Sequence, residues 1–150
     1  MTDAIEIRLP PKPEYLSVLR ATIGVIAGGM SFNYDEIIQL RVAVSEAFHL
    51  TIRRITQEPQ FRPAVGLAVR FAVEPDNIKI LISKLQHYTN GSTHVEEGKV
   101  PGAHHLSPYN EEEIESRALL ESLMDEVEVG GEAAGDLLIR MVKYKAAAEV

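Results

Sequence analysis

Apolar residues recur along this chain with two distinct periods, and the switches between them lay out its elements. Ala4 to Leu9 (AIEIRL) alternates apolar and polar as a half-buried strand does, and Pro10, Pro11 and Pro13 end it by removing backbone donors. From Tyr15 to Met30 the period lengthens. Leu16, Leu19, Ile23, Ile26 and Met30 share one helical stripe, while Ser17, Arg20, Ala21, Gly24 and Gly28 take the other side, which is small and nearly uncharged. Gly28-Gly29 closes this helix, and Asn33 with Glu36 three residues on forms a capping box that starts the next. That second helix, Tyr34 to Ile55 (YDEIIQLRVAVSEAFHLTIRRI), is the longest periodic segment. Ile37, Leu40, Val44, Phe48, Thr51 and Ile55 make its core stripe. Ile38, Val42 and Ile52 make a second apolar row, which predicts a helix lying between other elements. Glu46 stands among these rows, between Ser45 and Ala47, where the apolar pattern gives no place to a carboxylate.

The pattern then returns to strands. Ala64 to Val73 (AVGLAVRFAV), the turn Glu74-Pro75-Asp76-Asn77 and Ile78 to Ser83 (IKILIS) predict an antiparallel hairpin. Periodicity vanishes from Lys84 to Asn110, a stretch punctuated by Asn90-Gly91, Gly98, Pro101-Gly102 and Pro108; a connection of this length predicts a flexible, lid-like loop over 84–110. Asn110 with Glu113 is a second capping box and opens a third helix through about Glu126, with Leu119, Leu120, Leu123 and Met124 as its apolar residues. Val127 to Val129 and Leu137 to Tyr144 predict a final hairpin around Gly130-Gly131 and Gly135, and the Lys145 to Val150 tail reads as frayed helix or coil. The predicted order is β-α-α-β-β-loop-α-β-β. Such an order gives an α+β fold, a two-layer α/β sandwich whose mostly antiparallel sheet is covered on one face by helices.

Composition narrows the function. The 150 residues suit a single domain, and 45% hydrophobic with 25% charged residues is globular composition. A net charge of −7, with Arg53-Arg54 as the one adjacent basic pair, argues against nucleic acid or an anionic membrane as partner and favours a basic protein. The absence of cysteine excludes disulfides, thiolate catalysis and Cys-based zinc sites, and fits a cytoplasmic setting. Asn90-Gly91-Ser92 matches a glycosylation sequon, but no signal peptide or long apolar run accompanies it, so it reads as a turn.

Three stretches carry a resemblance: LPPKPEYLSVLR at Leu9 to Arg20, YDEIIQLRVAVSEA at Tyr34 to Ala47, and LLESLMDEV at Leu119 to Val127. In this order, over nearly the whole chain, they resemble the bacterial anti-sigma factors that are also serine-protein kinases, members of the GHKL (histidine-kinase-like) ATPase superfamily. The resemblance implies one histidine-kinase-like ATPase domain over residues 1–150, with ATP and Mg as cofactors in an active member. It also implies that the second helix should carry Glu-x-x-x-Asn, the Glu preparing an attacking hydroxyl or water and the Asn holding magnesium. Glu46 matches the Glu, but Leu50 stands at the Asn position, and leucine offers no oxygen to a hard cation. The family's Asp-x-Gly, which reads adenine, corresponds to Lys84-Leu85-Gln86; an ammonium cannot accept the adenine hydrogen bond, and Gln86 crowds where glycine is needed. The glycine-rich phosphate loop corresponds to Glu113-Ile114-Glu115-Ser116, so Ile114 and Ser116 replace its glycines. Glu111, Glu112, Glu113 and Glu115 also occupy the positive end of the helix dipole and repel a triphosphate.

These departures predict a pseudo-kinase without a bound cofactor. Glu46 is then the remnant of a catalytic base, or a structural carboxylate reaching Arg53, Arg54 or a backbone amide. The alternative is an active ATP-dependent serine-protein kinase with an atypical site. By the same resemblance, the face of the first helix around Arg20, Ser17 and Gly24 is expected to bind a protein partner, a sigma factor or an anti-sigma antagonist, and a homodimer is possible. His87, His94, His104 and His105 share the loop with Glu96 and Glu97, residue types that suit zinc or nickel, but their spacing matches no compact motif and predicts a solvated loop with no metal. His49 is expected to be packed or at the surface.

Overall fold

The computed structural model describes residues 2–57, 66–85, 111–130 and 137–146. Strand β1 spans Asp3–Leu9, β2 Gly66–Val73, β3 Asn77–Leu85, β4 Glu126–Val129 and β5 Leu137–Tyr144; helix α1 spans Leu16–Gly29, α2 Tyr34–Gln57 and α3 Glu111–Leu123. The five strands form one antiparallel sheet in the order β1-β2-β3-β5-β4. Fold and element order are those the hydrophobic pattern predicts.

The core lies between the helices and one face of the sheet. Leu67, Val69 and Phe71 of β2, Ile78, Ile80 and Ile82 of β3, and Ile139 and Met141 of β5 are buried against Leu19, Ile23 and Ala27 of α1 and Leu40, Val44, Phe48 and Ile55 of α2. Burying side chains of this size contributes about 1.5–3 kcal/mol each. Thr51 is buried in the same stripe and satisfies its hydroxyl locally by donating to the Ala47 carbonyl at 2.8 Å. Edge strand β4 is short and carries Glu126 and Glu128, which discourages pairing with another sheet.

Several predicted boundaries shift. Pro13–Tyr15 forms a separate 3-10 turn, so α1 starts at Leu16. The third helix stops at Leu123 rather than near Glu126, because Glu126 already pairs with Val142 in the sheet. Lys143, 7% exposed, donates its Nζ to the Leu123 carbonyl at 2.9 Å and so satisfies the end of α3. The second apolar row of α2 divides: Ile52 packs against the core, whereas Ile38 and Val42 are each 40% exposed.

The turn between α1 and α2 is held by side-chain and backbone hydrogen bonds. Asn33 and Glu36 exchange both bonds of the capping box, Glu36 N donating to Asn33 Oδ1 at 2.8 Å and Asn33 N to Glu36 Oε1 at 2.9 Å. Phe32 N donates to the Ala27 carbonyl and Ser31 N to the Gly28 carbonyl, the two bonds of a Schellman ending. The left-handed residue this ending requires is Ser31, at φ 65°, not one of the two glycines.

Candidate functional site

Helix α2 separates α1 on one flank from α3 on the other, and its chemistry divides accordingly. On the α3 flank, Glu46 and Arg53 lie two turns apart on one face, and Ser116 of α3 inserts between them. The Ser116 hydroxyl donates to Glu46 Oε1 at 2.6 Å and accepts from Arg53 Nη2 at 2.7 Å; Arg53 and Glu46 are themselves 3.7 Å apart. Next to them Arg54 forms an ion pair with Glu113 and donates to the Gly130 carbonyl beyond β4 at 2.5 Å. Arg53 also faces Glu112 at 3.7 Å. The end of α2 therefore gathers the start of α3 and the end of β4.

This arrangement changes the electrostatics expected of α3. Of the four carboxylates at its start, Glu112 and Glu113 are paired with Arg53 and Arg54, so the cluster is partly neutralised. The Glu113 carboxylate is turned to α2, and its expected capping partner Asn110 lies outside the described residues. Glu46, about a quarter exposed, is in hydrogen-bond and ion-pair contact with its neighbours. A carboxylate 2.6 Å from a hydroxyl is within reach for taking a proton, and the hydroxyl it holds belongs to this chain.

Leu50, one turn beyond Glu46, is 2% exposed and belongs to the hydrophobic core. Lys84 lies near the end of β3 opposite Leu67, on the helix-facing side of the sheet. Gln86 is outside the described residues, as are His87, His94, Glu96, Glu97, His104 and His105 and the remainder of the 84–110 loop. His49 is exposed. Among the described residues no three His, Asp or Glu side chains are grouped to hold a metal ion. No helix among them is long and apolar enough to cross a membrane.

The α1 flank is different in kind. Ser17 and Arg20 are exposed, and Gly24 is half-buried because the Arg41 guanidinium of α2 lies against it. A Cβ at residue 24 would meet the end of that side chain, so this glycine is what lets Arg41 fold down over α1. Val18 and Val25 on α1, and Tyr34, Ile38 and Val42 on α2, are exposed apolar side chains nearby in sequence.

Sequence reasoning treated Ser116 as a lost phosphate-loop residue and did not foresee its contact with Glu46. A signal was available. Ser116, Leu120 and Met124 recur at i, i+4 and i+8, so Ser116 belongs to the buried stripe of α3 and requires a polar partner on α2.

No protein-family model matches the chain. Among curated proteins it is 31% identical over 143 residues to the serine-protein kinase RsbW of Bacillus pumilus, covering 95% of this chain and 86% of that protein. The protein of the same name from Oceanobacillus iheyensis is 31% identical over 156 residues, covering 99% of this chain and 90% of its own length. That of Staphylococcus epidermidis is 34% identical over 150 residues, with 95% and 87% covered. A crystal structure of the RsbU and RsbW domains of a Mycobacterium tuberculosis protein superposes with a TM-score of 0.62 at 13% identity, over 98% of this chain and 34% of that longer one. At that identity the likeness concerns the fold alone.

Proposed function

This chain belongs to the serine-protein kinase RsbW family, and from that premise we propose that it is a partner-switching regulator of the anti-sigma kind, acting by protein–protein binding and without a working nucleotide site. Leu50 carries this reading. It occupies the position where the family resemblance requires a magnesium ligand, and at 2% exposure it is part of the hydrophobic core, where an oxygen donor would be costly to bury. Lys84 in place of an adenine-reading acid and Ile114 and Ser116 in place of phosphate-loop glycines support the same conclusion. Glu46 is a remnant whose carboxylate is occupied by Ser116 and Arg53.

Binding is assigned to the α1 flank, with Arg20, Ser17 and Gly24 as contact residues. The partner is a sigma factor or an anti-sigma antagonist. Arg20 is exposed, and α1 has no carboxylate between Leu16 and Gly29, so Arg20 is the single charge that this helix presents. The test is co-purification of the partner from the native host, followed by Arg20→Glu. The expected result is at least about tenfold weaker binding, the order of effect of reversing an interface charge, with the melting temperature unchanged. Loss of folding instead would make Arg20 structural and would remove this face from the proposal.

An active kinase is the second reading. Two observations favour it: the relatives are named as serine-protein kinases, and Glu46 is retained within proton-transfer distance of a hydroxyl. Magnesium-dependent ATP binding and phosphate transfer to a serine of the co-purified partner would establish it.

A further inference from the structure

The two halves of α3 are attached to the body of the protein by different forces. In residues 111–118, Ser116 is the one buried residue, and Ile114 is 48% exposed. Apolar anchorage begins only at Leu120, which is fully buried, and continues through the partly buried Leu123 to Met124 just past the helix. The first half is held by polar contacts: the Ser116 hydroxyl between Glu46 and Arg53, the Arg54–Glu113 pair, and the longer Arg53–Glu112 approach. The Arg54 and Glu113 side chains are 17% and 12% exposed, whereas Glu112 is 68% exposed, so Arg54–Glu113 is the pair best shielded from solvent.

We propose that the N-terminal half of α3 is a flap held shut against Glu46 by these polar contacts, and that it lifts as a unit, ahead of global unfolding, to free the Glu46 Oε1 that Ser116 holds. The hinge falls between Ser116 and Leu120, where polar attachment gives way to apolar attachment. Arg54 keeps its bond to the Gly130 carbonyl when Glu113 leaves, so α2 and the end of β4 stay together while α3 moves. In the closed state Ser116 holds Glu46 Oε1 at 2.6 Å, and an outside hydroxyl or water that is to reach this oxygen has to take the place of Ser116. The contact is thus autoinhibitory for chemistry at that oxygen. It is independent of whether nucleotide binds, and so stands apart from the functional proposal.

The two kinds of attachment respond oppositely to salt, which screens ion pairs and does not weaken apolar burial. Hydrogen exchange of the full chain, followed by mass spectrometry, compares peptides covering 112–119 with peptides covering 40–50 of α2. Raising NaCl from about 0.05 M to about 0.5 M is expected to speed exchange of the α3 peptides by roughly tenfold while leaving the α2 peptides within about twofold. Ser116→Ala is expected to speed the α3 peptides selectively at both salt concentrations, and to increase labelling of Glu46 by a carbodiimide with glycine ethyl ester. Exchange of α3 at the rate of α2, indifferent to salt, would overturn the proposal. So would an equal acceleration of every peptide in Ser116→Ala, which would mean a purely structural hydroxyl. If Ser116→Ala fails to fold, the salt series on the unaltered protein decides alone.

Discussion

Ser31 occupies a left-handed backbone position at φ 65°, two residues after the Gly28-Gly29 pair that sequence reading takes as the close of the helix. Side chains with a Cβ are strained there, while a Cβ at residue 28 or 29 would meet nothing within 4 Å. Ser31→Gly is therefore expected to raise the unfolding free energy by about 0.5–1 kcal/mol, and Ser31→Val to lower it by at least as much, as measured by urea denaturation. Leu50 gives a sharper case. Leu50→Asn, which restores the residue type expected of a magnesium site, buries an amide at a 2% exposed core position and should cost about 2–4 kcal/mol. The core stripe of α2 was legible because its 3.6-residue period is physical: Leu40, Val44, Phe48, Thr51 and Ile55 are all buried. In the second row Ile52 packs against the core while Ile38 and Val42 are exposed, because an exposed apolar side chain is written with the same letters as a buried one. The periodicity of α3 places Ser116 in its buried stripe, but nothing in hydropathy names Glu46 as its partner, 70 positions away.

Among the elements, α3 departs furthest from its sequence pattern. Its apolar letters favour a helix through Glu126, but Asp125 N donates to the Val142 carbonyl and Tyr144 N to Asp125 Oδ2, so the chain has joined the sheet by then. Lys143 then serves as the cap of a helix it is remote from in sequence. Lys143→Met keeps the length of the side chain and leaves the Leu123 carbonyl without its donor, and is expected to cost about 1 kcal/mol in denaturant unfolding. The β2–β3 turn has its own electrostatic signature. The Glu74 carboxyl is held below its ordinary value, chiefly by the hydrogen bond from Asn77, then by the hydrogen bond and charge of Lys79, with a smaller contribution from Thr2. A depressed carboxylate stabilises the folded state above its unfolded pKa, and that stabilisation is lost as pH falls through the folded value. Glu74→Gln should accordingly make the acid limb of a stability–pH curve shallower below about pH 4.5, with its slope above pH 6 unchanged.

For the molecule as a whole, the net charge of −7 is unevenly distributed. Residues from Tyr15 to Tyr34 contain no carboxylate, while four lie between Glu111 and Glu115, two of them paired with arginines of α2. Helix α2 thus stands between a small-residue, nearly uncharged flank suited to a protein partner and a flank where charge is spent internally. Glu46, which by sequence invited a catalytic reading, lies on the second flank and accepts a hydrogen bond from Ser116 of α3. The proposed function makes one central claim, that this chain binds partners without binding nucleotide. Isothermal titration of the full chain with ATP or ADP in the presence of magnesium tests it most directly. The account predicts no saturable heat up to about millimolar nucleotide, whereas saturable binding at about micromolar concentration would contradict it.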